Sequence, residues 1–254
     1  MTLAERARNL RRHSLRMAER LGQGYVGQAL GIADLLAVLY FHEKKSDDRF
    51  VLSIGHYSIA LYAALAEKGV IPMEELDTYG VDGSRLPMSG DDRCPGFEIT
   101  GGSLGQGLSQ AVGMALGMRM DRHPGRVFAL ISDGELQEGA VWEAAMAAAH
   151  YRLDRLFVFV DCNNQQADGP PASVLGIEPV REKWAAFGWD ARRVNGNSID
   201  DLLRAIGSAG DGRPRAIVLD TLMGKGVPLF ETREKNHFIR VEPSEWAVAR
   251  EQLG

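Results

Sequence analysis

Two uninterrupted apolar runs, Val127–Ile131 and Leu156–Val160, stand on either side of an alanine-rich stretch with helical periodicity. No other feature of the chain constrains its fold as much. A strand that alternates apolar and polar residues keeps one wet face, whereas a continuous apolar run must be covered on both. Two such strands joined by a helix pair in parallel, because the helix supplies the crossover. The same rhythm extends along the chain. Strands are predicted near 49–53, 126–131, 156–161, 190–194 and 216–221. Helices are predicted near 3–21, 31–43, 56–67, 104–120, 138–150, 180–187, 199–207 and 243–252. The fold class is therefore α/β, a parallel sheet with helices on both faces. Ligands of such sheets bind beyond the carboxyl ends of the strands.

The two central strands lead into chemically pointed segments. The first ends on Asp133-Gly134 and runs into a helix starting near Glu138; the second ends on Asp161-Cys162-Asn163-Asn164. If the strands are neighbours, Asp133 and Asn163 meet at one end of the sheet. One carboxylate with neutral oxygens is the donor set of a Mg²⁺ ion that also holds a diphosphate. The helix from Glu138 directs its positive end to the same place. Asp-Gly alone is usually only a turn, and an Asn pair only a loop. The ordered combination in a strand-turn-helix context carries the signal.

Two further segments add candidates. His56 lies just past the strand near 49–53, where an imidazole can touch a diphosphate or a substrate oxygen. From Ile99 to Arg119 a glycine-rich loop opens a helix. Gly101, Gly102, Gly105 and Gly107 there allow either close packing of backbone or close approach of backbone to a ligand ring, with Leu104 supporting its face. The loop from about 77 to 103, rich in Gly, Pro, Asp and Ser, is a candidate wall of the site.

Composition narrows the class. With 254 residues the chain makes one large domain or two small ones and can bury a substantial core. Its net charge of −5 points away from nucleic acid and from anionic membrane surfaces. Cys94 and Cys162 have no metal or redox spacing and are read as free thiols of a reducing cytoplasm. The basic N-terminus is amphipathic and reads as a surface helix, and no apolar run reaches membrane-spanning length. His13, His42 and His123 read as surface residues and His150 as structural, buried or interfacial.

The run from Glu135 to Gly169 resembles transketolase, with Asp133 and Asn163 thirty residues apart as in the thiamine-diphosphate signature, although Ser132 replaces its first glycine. The Leu52-Ser53-Ile54-Gly55-His56 segment, the Ser103-Leu104-Gly105-Gln106-Gly107 loop and the Gly224-Lys225-Gly226 stretch before His237 are similar to the same family. The resemblance covers roughly 10–240. It implies thiamine diphosphate and Mg²⁺ as cofactors. The metal would be held by Asp133, Asn163 and the carbonyl of Gln165. The organic cofactor would meet His56, Gly102, Ser103, Leu104, Gly134, Glu135, Asn163 and His237. His56 and His237 would be the catalytic residues. Glu138 and Glu143 match acids that lie at the family's protomer interface. The implied reaction passes a two-carbon ketol unit from a ketose or its phosphate to an aldose.

The resemblance further implies that 1–254 is a single diphosphate-binding domain, with the pyrimidine-binding and C-terminal domains absent. A separate C-terminal subunit would complete the site, giving an α₂β₂ assembly. Two departures bear on the substrate. Tyr25 stands where the family carries a sugar-contacting histidine, and Asp91 and Asp92 occupy a loop where a second is common. Both point to a modified ketose. The alternatives are the alpha subunit of a 2-oxo acid dehydrogenase, with a lipoyl acceptor, and a non-catalytic cofactor-binding subunit.

Overall fold

The computed structural model describes residues 1–208 and 210–254. Its centre is a five-stranded, wholly parallel sheet in the order β2-β3-β4-β6-β5. The strands are β2 (Arg49–Leu52), β3 (Val127–Ser132), β4 (Leu156–Cys162), β5 (Asp190–Asn195) and β6 (Arg215–Asp220). A two-residue antiparallel ladder joins β1 (Gln23–Gly24) to β7 (Ile239–Arg240). The helices are α1 (Leu3–Leu21), α2 (Val26–Gly31), α3 (Ala33–Val38), α4 (Ser58–Lys68), α5 (Gln106–Met120), α6 (Gly139–His150), α7 (Pro171–Val174), α8 (Val180–Ala186), α9 (Ile199–Gly207), α10 (Pro228–Glu231) and α11 (Pro243–Leu253).

The expected α/β class and its five strands are present. The continuous apolar runs divide by alternation, as side chains of period two must. Phe128, Leu130, Phe157 and Phe159 face one core with α1 to α4, α9 and α11. Val127, Ala129, Ile131, Leu156, Val158 and Val160 face another with α5, α6 and α8. β3 and β4 are thus sealed on both sides. At about 25 cal/mol per Å² of apolar surface, this double burial is the main stabilising term.

Several helices depart from expectation; α4, predicted from 56, starts at Ser58 after a 3₁₀ turn over Gly55–Tyr57. The helix predicted over 31–43 begins earlier and is broken into α2, α3 and a π-helical turn over Leu39–Glu43. The break at Ile32 follows Gly31, whose absent Cβ would lie 3.1 Å from the carbonyl of Leu222. A distant loop therefore presses on the backbone there. The helix predicted from 104 starts at Gln106, because Gly105 is left-handed (φ +80). The helix predicted from 138 starts at Gly139, and a 3₁₀ turn over Gly134–Gln137 separates it from Asp133. α1 matches its predicted bounds, helped by a full capping box between Thr2 and Glu5.

The 77–103 loop is pinned at its centre. Ser58 Oγ and Tyr62 Oη donate to the carbonyls of Met88 (3.0 Å) and Pro87 (3.1 Å). Gly90 N–H donates to the Gly55 carbonyl and Gly101 N–H to the Gly90 carbonyl, each at 3.0 Å. Both cysteines are free thiols. His150 is exposed at the end of α6 rather than buried in this chain, and His13 is half-buried against Glu67 at 3.0 Å. No described helix is long and apolar enough to cross a membrane.

Candidate active site

β3 and β4 are neighbours, paired from Val127↔Leu156 to Ser132↔Asp161. Their carboxyl ends therefore deliver Asp133 and Asn163 to one place. Asp133 is buried at 2% exposure and accepts from Gly134 N–H (2.8 Å) and Asn164 N–H (3.2 Å). Asn163 Oδ1 accepts from Gln165 N–H at 3.0 Å. The Gln165 side chain is engaged elsewhere, its Oε1 accepting from Asn236 N–H at 3.0 Å. Only the Gln165 backbone carbonyl remains as a donor to a cation.

Behind these residues lies Asp161, to which sequence reasoning gave no role. It is 1% exposed and takes hydrogen bonds from Tyr57 Oη (2.6 Å), Asn163 Nδ2 (2.8 Å) and Thr221 Oγ1. Burial pushes the Asp133 carboxyl up to about 7, and the neighbouring charge of Asp161 pushes the same way. Burial likewise raises Asp161. Two buried carboxylates side by side are stabilised by a cation. Among the described residues, no three His, Cys, Asp or Glu groups converge to hold a metal. One carboxylate with amide and carbonyl oxygens suits a hard divalent ion rather than zinc.

Glu135 requires correction as a direct cofactor contact. It is 0% exposed. Its Oε1 accepts from Ser53 Oγ and from Gly105 N–H (2.9 Å), and its Oε2 from Ser132 N–H (3.0 Å). Burial pushes this carboxyl up while the three donors pull it down. The side chain ties the loops after β2 and β3 to the glycine loop and has no surface left for a ligand.

In the glycine loop the structure decides between the two readings left open by the sequence. A Cβ on Gly101 would sit 2.7 Å from Gly55 Cα, one on Gly107 2.6 Å from Ser53 Cα, and one on Gly105 2.6 Å from Glu138 Cβ. These three glycines serve close contact between protein segments. Gly102 differs: it is exposed, has φ +129, and would meet only Ser89 Oγ at 3.1 Å. Ser103 beside it is exposed, and Leu104 packs on the larger core. Gly134 is half-buried, with Gln166 Nε2 3.5 Å from where its Cβ would be.

His56 lies in the 3₁₀ turn Gly55–Tyr57. His237 comes from the far end of the chain, brought there by the β1–β7 ladder. Their ring centroids are 5.2 Å apart, and the Tyr25 ring lies 4.7 Å from His56 and 5.7 Å from His237. Phe238 closes the group at 5.0 Å from Tyr25. Gln28 was missed by sequence reasoning. It is 1% exposed, and its Nε2 meets His237 Nδ1 at 3.1 Å and the His237 carbonyl at 2.7 Å. An amide donor on Nδ1 assigns the imidazole proton to Nε2. Its position in Gly27-Gln28 gives no local signal, because its partner is remote in sequence.

Burial holds His56 down at about 3, with His237 adding to the effect, and burial also lowers His237. Both rings are neutral at pH 7. His56 Nε2 is buried without a hydrogen-bond partner among the described residues. A buried orphan costs about 1–3 kcal/mol, a cost relieved by a bound polar group. The depressed pKa also has a stability consequence. Unfolded His56 binds its proton below about 6.5, whereas the folded group binds it only near 3. Stability from this group is thus present above the unfolded pKa and lost as pH falls from about 6.5 towards 3. Between pH 7 and pH 5 the urea midpoint should fall for the wild-type chain and fall less for His56→Gln. Equal falls for both would remove His56 from the account.

These features define a class: an α/β domain whose strand ends gather an oxygen donor set of the kind that suits a divalent ion with a diphosphate, with two neutral imidazoles beside it. The comparisons give the family. A family model described as the transketolase thiamine diphosphate binding domain matches residues 3–254. A putative uncharacterized transketolase family protein, y4mO, of Sinorhizobium fredii is 56% identical over 98% of this chain and 94% of its own length. The 6-deoxy-6-sulfo-D-fructose transketolase subunit SqwG of a Clostridium species is 41% identical over 99% of this chain and 96% of its own length. Among solved structures, transketolase from Campylobacter jejuni superposes with a TM-score of 0.92 at 30% identity, over 99% of this chain. This chain spans 42% of the length of that one. The chain belongs to the transketolase family, as its thiamine diphosphate-binding domain. That membership makes it part of a ketol-transferring enzyme and sets aside the 2-oxo acid dehydrogenase alternative.

Proposed function

We propose that this chain is the N-terminal, single-domain subunit of a two-subunit transketolase. A second chain would supply the pyrimidine-binding and C-terminal domains in an α₂β₂ assembly. Relatives of similar length carry names consistent with this. Besides SqwG, a protein of Phocaeicola vulgatus named as a subunit of apulose-4-phosphate transketolase is 36% identical over 93% of this chain and 88% of its own length. The observation that carries the reading is the pair of neutral imidazoles, His56 and His237, joined through Tyr57 and Gln165 to the Asp133–Asn163 strand ends. A cytoplasmic location belongs to the same reading and is supported by the two free thiols.

In this reading Asp133, Asn163 and the Gln165 carbonyl hold Mg²⁺, and the metal anchors the diphosphate. Gly102, Ser103, Gly134 and Leu104 border the cofactor. Bound thiamine diphosphate supplies the carbon–carbon bond chemistry. The protein's own residues do the rest. His237, its ring fixed by Gln28, presents Nε2–H as a donor. His56 presents a neutral ring whose unpartnered Nε2 takes up a polar group. Tyr25 and Phe238 form an aromatic wall beside the two imidazoles.

The substrate is a modified ketose rather than an ordinary pentose phosphate. Tyr25 carries this part, because its phenol fills the space beside His56 and His237 with an aromatic ring. The Asp91–Asp92 loop contributes less than its sequence suggested. Asp91 is bound on both oxygens by Arg93, and Asp92 Oδ1 accepts from Thr100 at 3.1 Å. The test is reconstitution with a pyrimidine-domain partner chain. Ketol transfer should appear only on mixing. Its kcat/KM for xylulose 5-phosphate should fall about 100-fold below that for the best deoxy, branched or otherwise modified ketose, the scale on which the shape of an apolar pocket wall discriminates. Full turnover by the single chain would remove the two-subunit reading, and preference for xylulose 5-phosphate the altered-substrate one.

A further inference from the structure

We infer that a second pocket, at the amino ends of β3 and β4, is an anion site for a phosphorylated small molecule with an apolar body. It lies at the opposite end of the sheet from Asp133 and Asn163, about 20 Å away along six residues of strand. The pocket has a volume of about 310 Å³, within the usual range for small-molecule sites.

Its rim carries Arg119, Arg122, Arg155 and His123 against a single carboxylate, Asp154. Among the described residues, none of the three arginines makes an ion pair, although the chain as a whole has a net charge of −5 and most of its arginines are paired. Two of the guanidiniums are nevertheless held in place. Arg119 donates to the Tyr151 carbonyl and Arg155 to the Pro124 carbonyl. A carbonyl fixes the orientation of a guanidinium without neutralising its charge, which leaves the remaining N–H groups for an anion. Gly125 N–H donates to His123 Nδ1 at 3.1 Å, so the neutral ring carries its proton on Nε2 as a further donor.

The backbone adds an independent observation. Arg122 follows the end of α5 with φ +53, and Arg152 follows the end of the adjacent α6 with φ +46. The left-handed position after a helix is usually glycine, and a residue with a side chain there costs about 1–2 kcal/mol. Cations near helix carboxyl ends gain from the dipole, which accounts for one charge per helix. It does not account for Arg119, Arg122 and Arg155 lining one cavity without carboxylate partners; Arg152 lies outside that lining. The floor is apolar, formed by Ala115, Met118, Val127 and Leu153. A free phosphate ion would leave that floor wet, whereas a phosphate monoester covers it.

Phenyl phosphate, an anion on an apolar ring, is the probe. Titrated into the full chain, it should bind saturably with a Kd of about 1 mM or tighter. Arg122→Gln/Arg155→Gln should weaken this at least about ten-fold, with an unchanged circular dichroism spectrum and melting temperature. p-Cresol, which lacks the phosphate, should not bind at 10 times that concentration, an amount on the order of 10 mM. Amide shifts should move at Gly125 and Leu153. Shifts confined to Gly134 and Asn164 would place the phosphate in the strand-end cleft and overturn the inference. So would equal binding by the double variant, or equal binding of p-cresol.

Discussion

Asp133→Asn is expected to abolish divalent-dependent binding of thiamine diphosphate while leaving the cofactor-free chain as stable as the wild type, or more so. The two halves share one cause. Asp133 is the only carboxylate of the proposed metal set, so its loss leaves the diphosphate charge uncompensated. Truncating one partner of a buried charge pair costs about 3 kcal/mol or more, on the order of 100-fold in affinity. In the cofactor-free chain the same carboxylate is a burden. Its folded pKa is raised to about 7 by burial and by Asp161. Stability from a raised carboxyl is fully present below its unfolded pKa and is lost as pH rises through the folded one. Removing the charge removes that loss at pH 7 and above. Calorimetric titration with Mg²⁺ and thermal melts at pH 6 and pH 8 would test both halves. Undiminished cofactor binding would end the metal assignment, and a lower melting temperature for the variant at pH 8 would end the stability argument.

Asn163→Ala separates what the sequence and the structure say of the same residue. As a neutral metal ligand it is replaceable by water. In the structure Asn163 also donates to Asp161 and Tyr57 and accepts from Gln165 N–H. Its loss therefore leaves several buried groups unpaired and lowers stability as well as affinity.

The second large effect belongs to Glu135. Glu135→Ala should destabilise the chain by about 3–5 kcal/mol, because three buried donors, from the end of β3, the segment after β2 and the glycine loop, lose their acceptor together. At about 2–4 °C per kcal/mol for a chain of this size, that is about 10 °C in melting temperature. The carboxylate contacts no ligand surface, so any fall in cofactor affinity should track the loss of fold. Thermal unfolding measures it, and a change under about 1 °C would show that the three segments stand without it. The effect cannot be inferred from the Asp133-Gly134-Glu135 motif, where Glu135 reads as one more polar residue beside the cofactor.

The architecture was legible in the chain because its signals are local and repetitive. Continuous apolar runs at 127–131 and 156–160 demand cover on both faces, and a helix between them demands a parallel crossover. The meeting of Asp133 and Asn163 follows from strand adjacency alone. The family, and with it the cofactor class, was legible from ordered motifs over most of the chain. The sequence by itself thus determined the sheet, the end of the sheet that carries the chemistry, and most of the residues that gather there. Tertiary structure decided what each of them does. Glycines that read either as packing or as ligand-facing are spaces for other backbone, since a Cβ on Gly101 or Gly107 would strike Gly55 or Ser53. Asp161 acquires three partners from three segments, and Gln28 reaches His237 only because a two-residue ladder joins the two ends of the chain. Periodicity along a chain reports which face a residue takes. It holds no information about which remote atom will stand three ångströms away, and hydrogen bonds are settled at that distance.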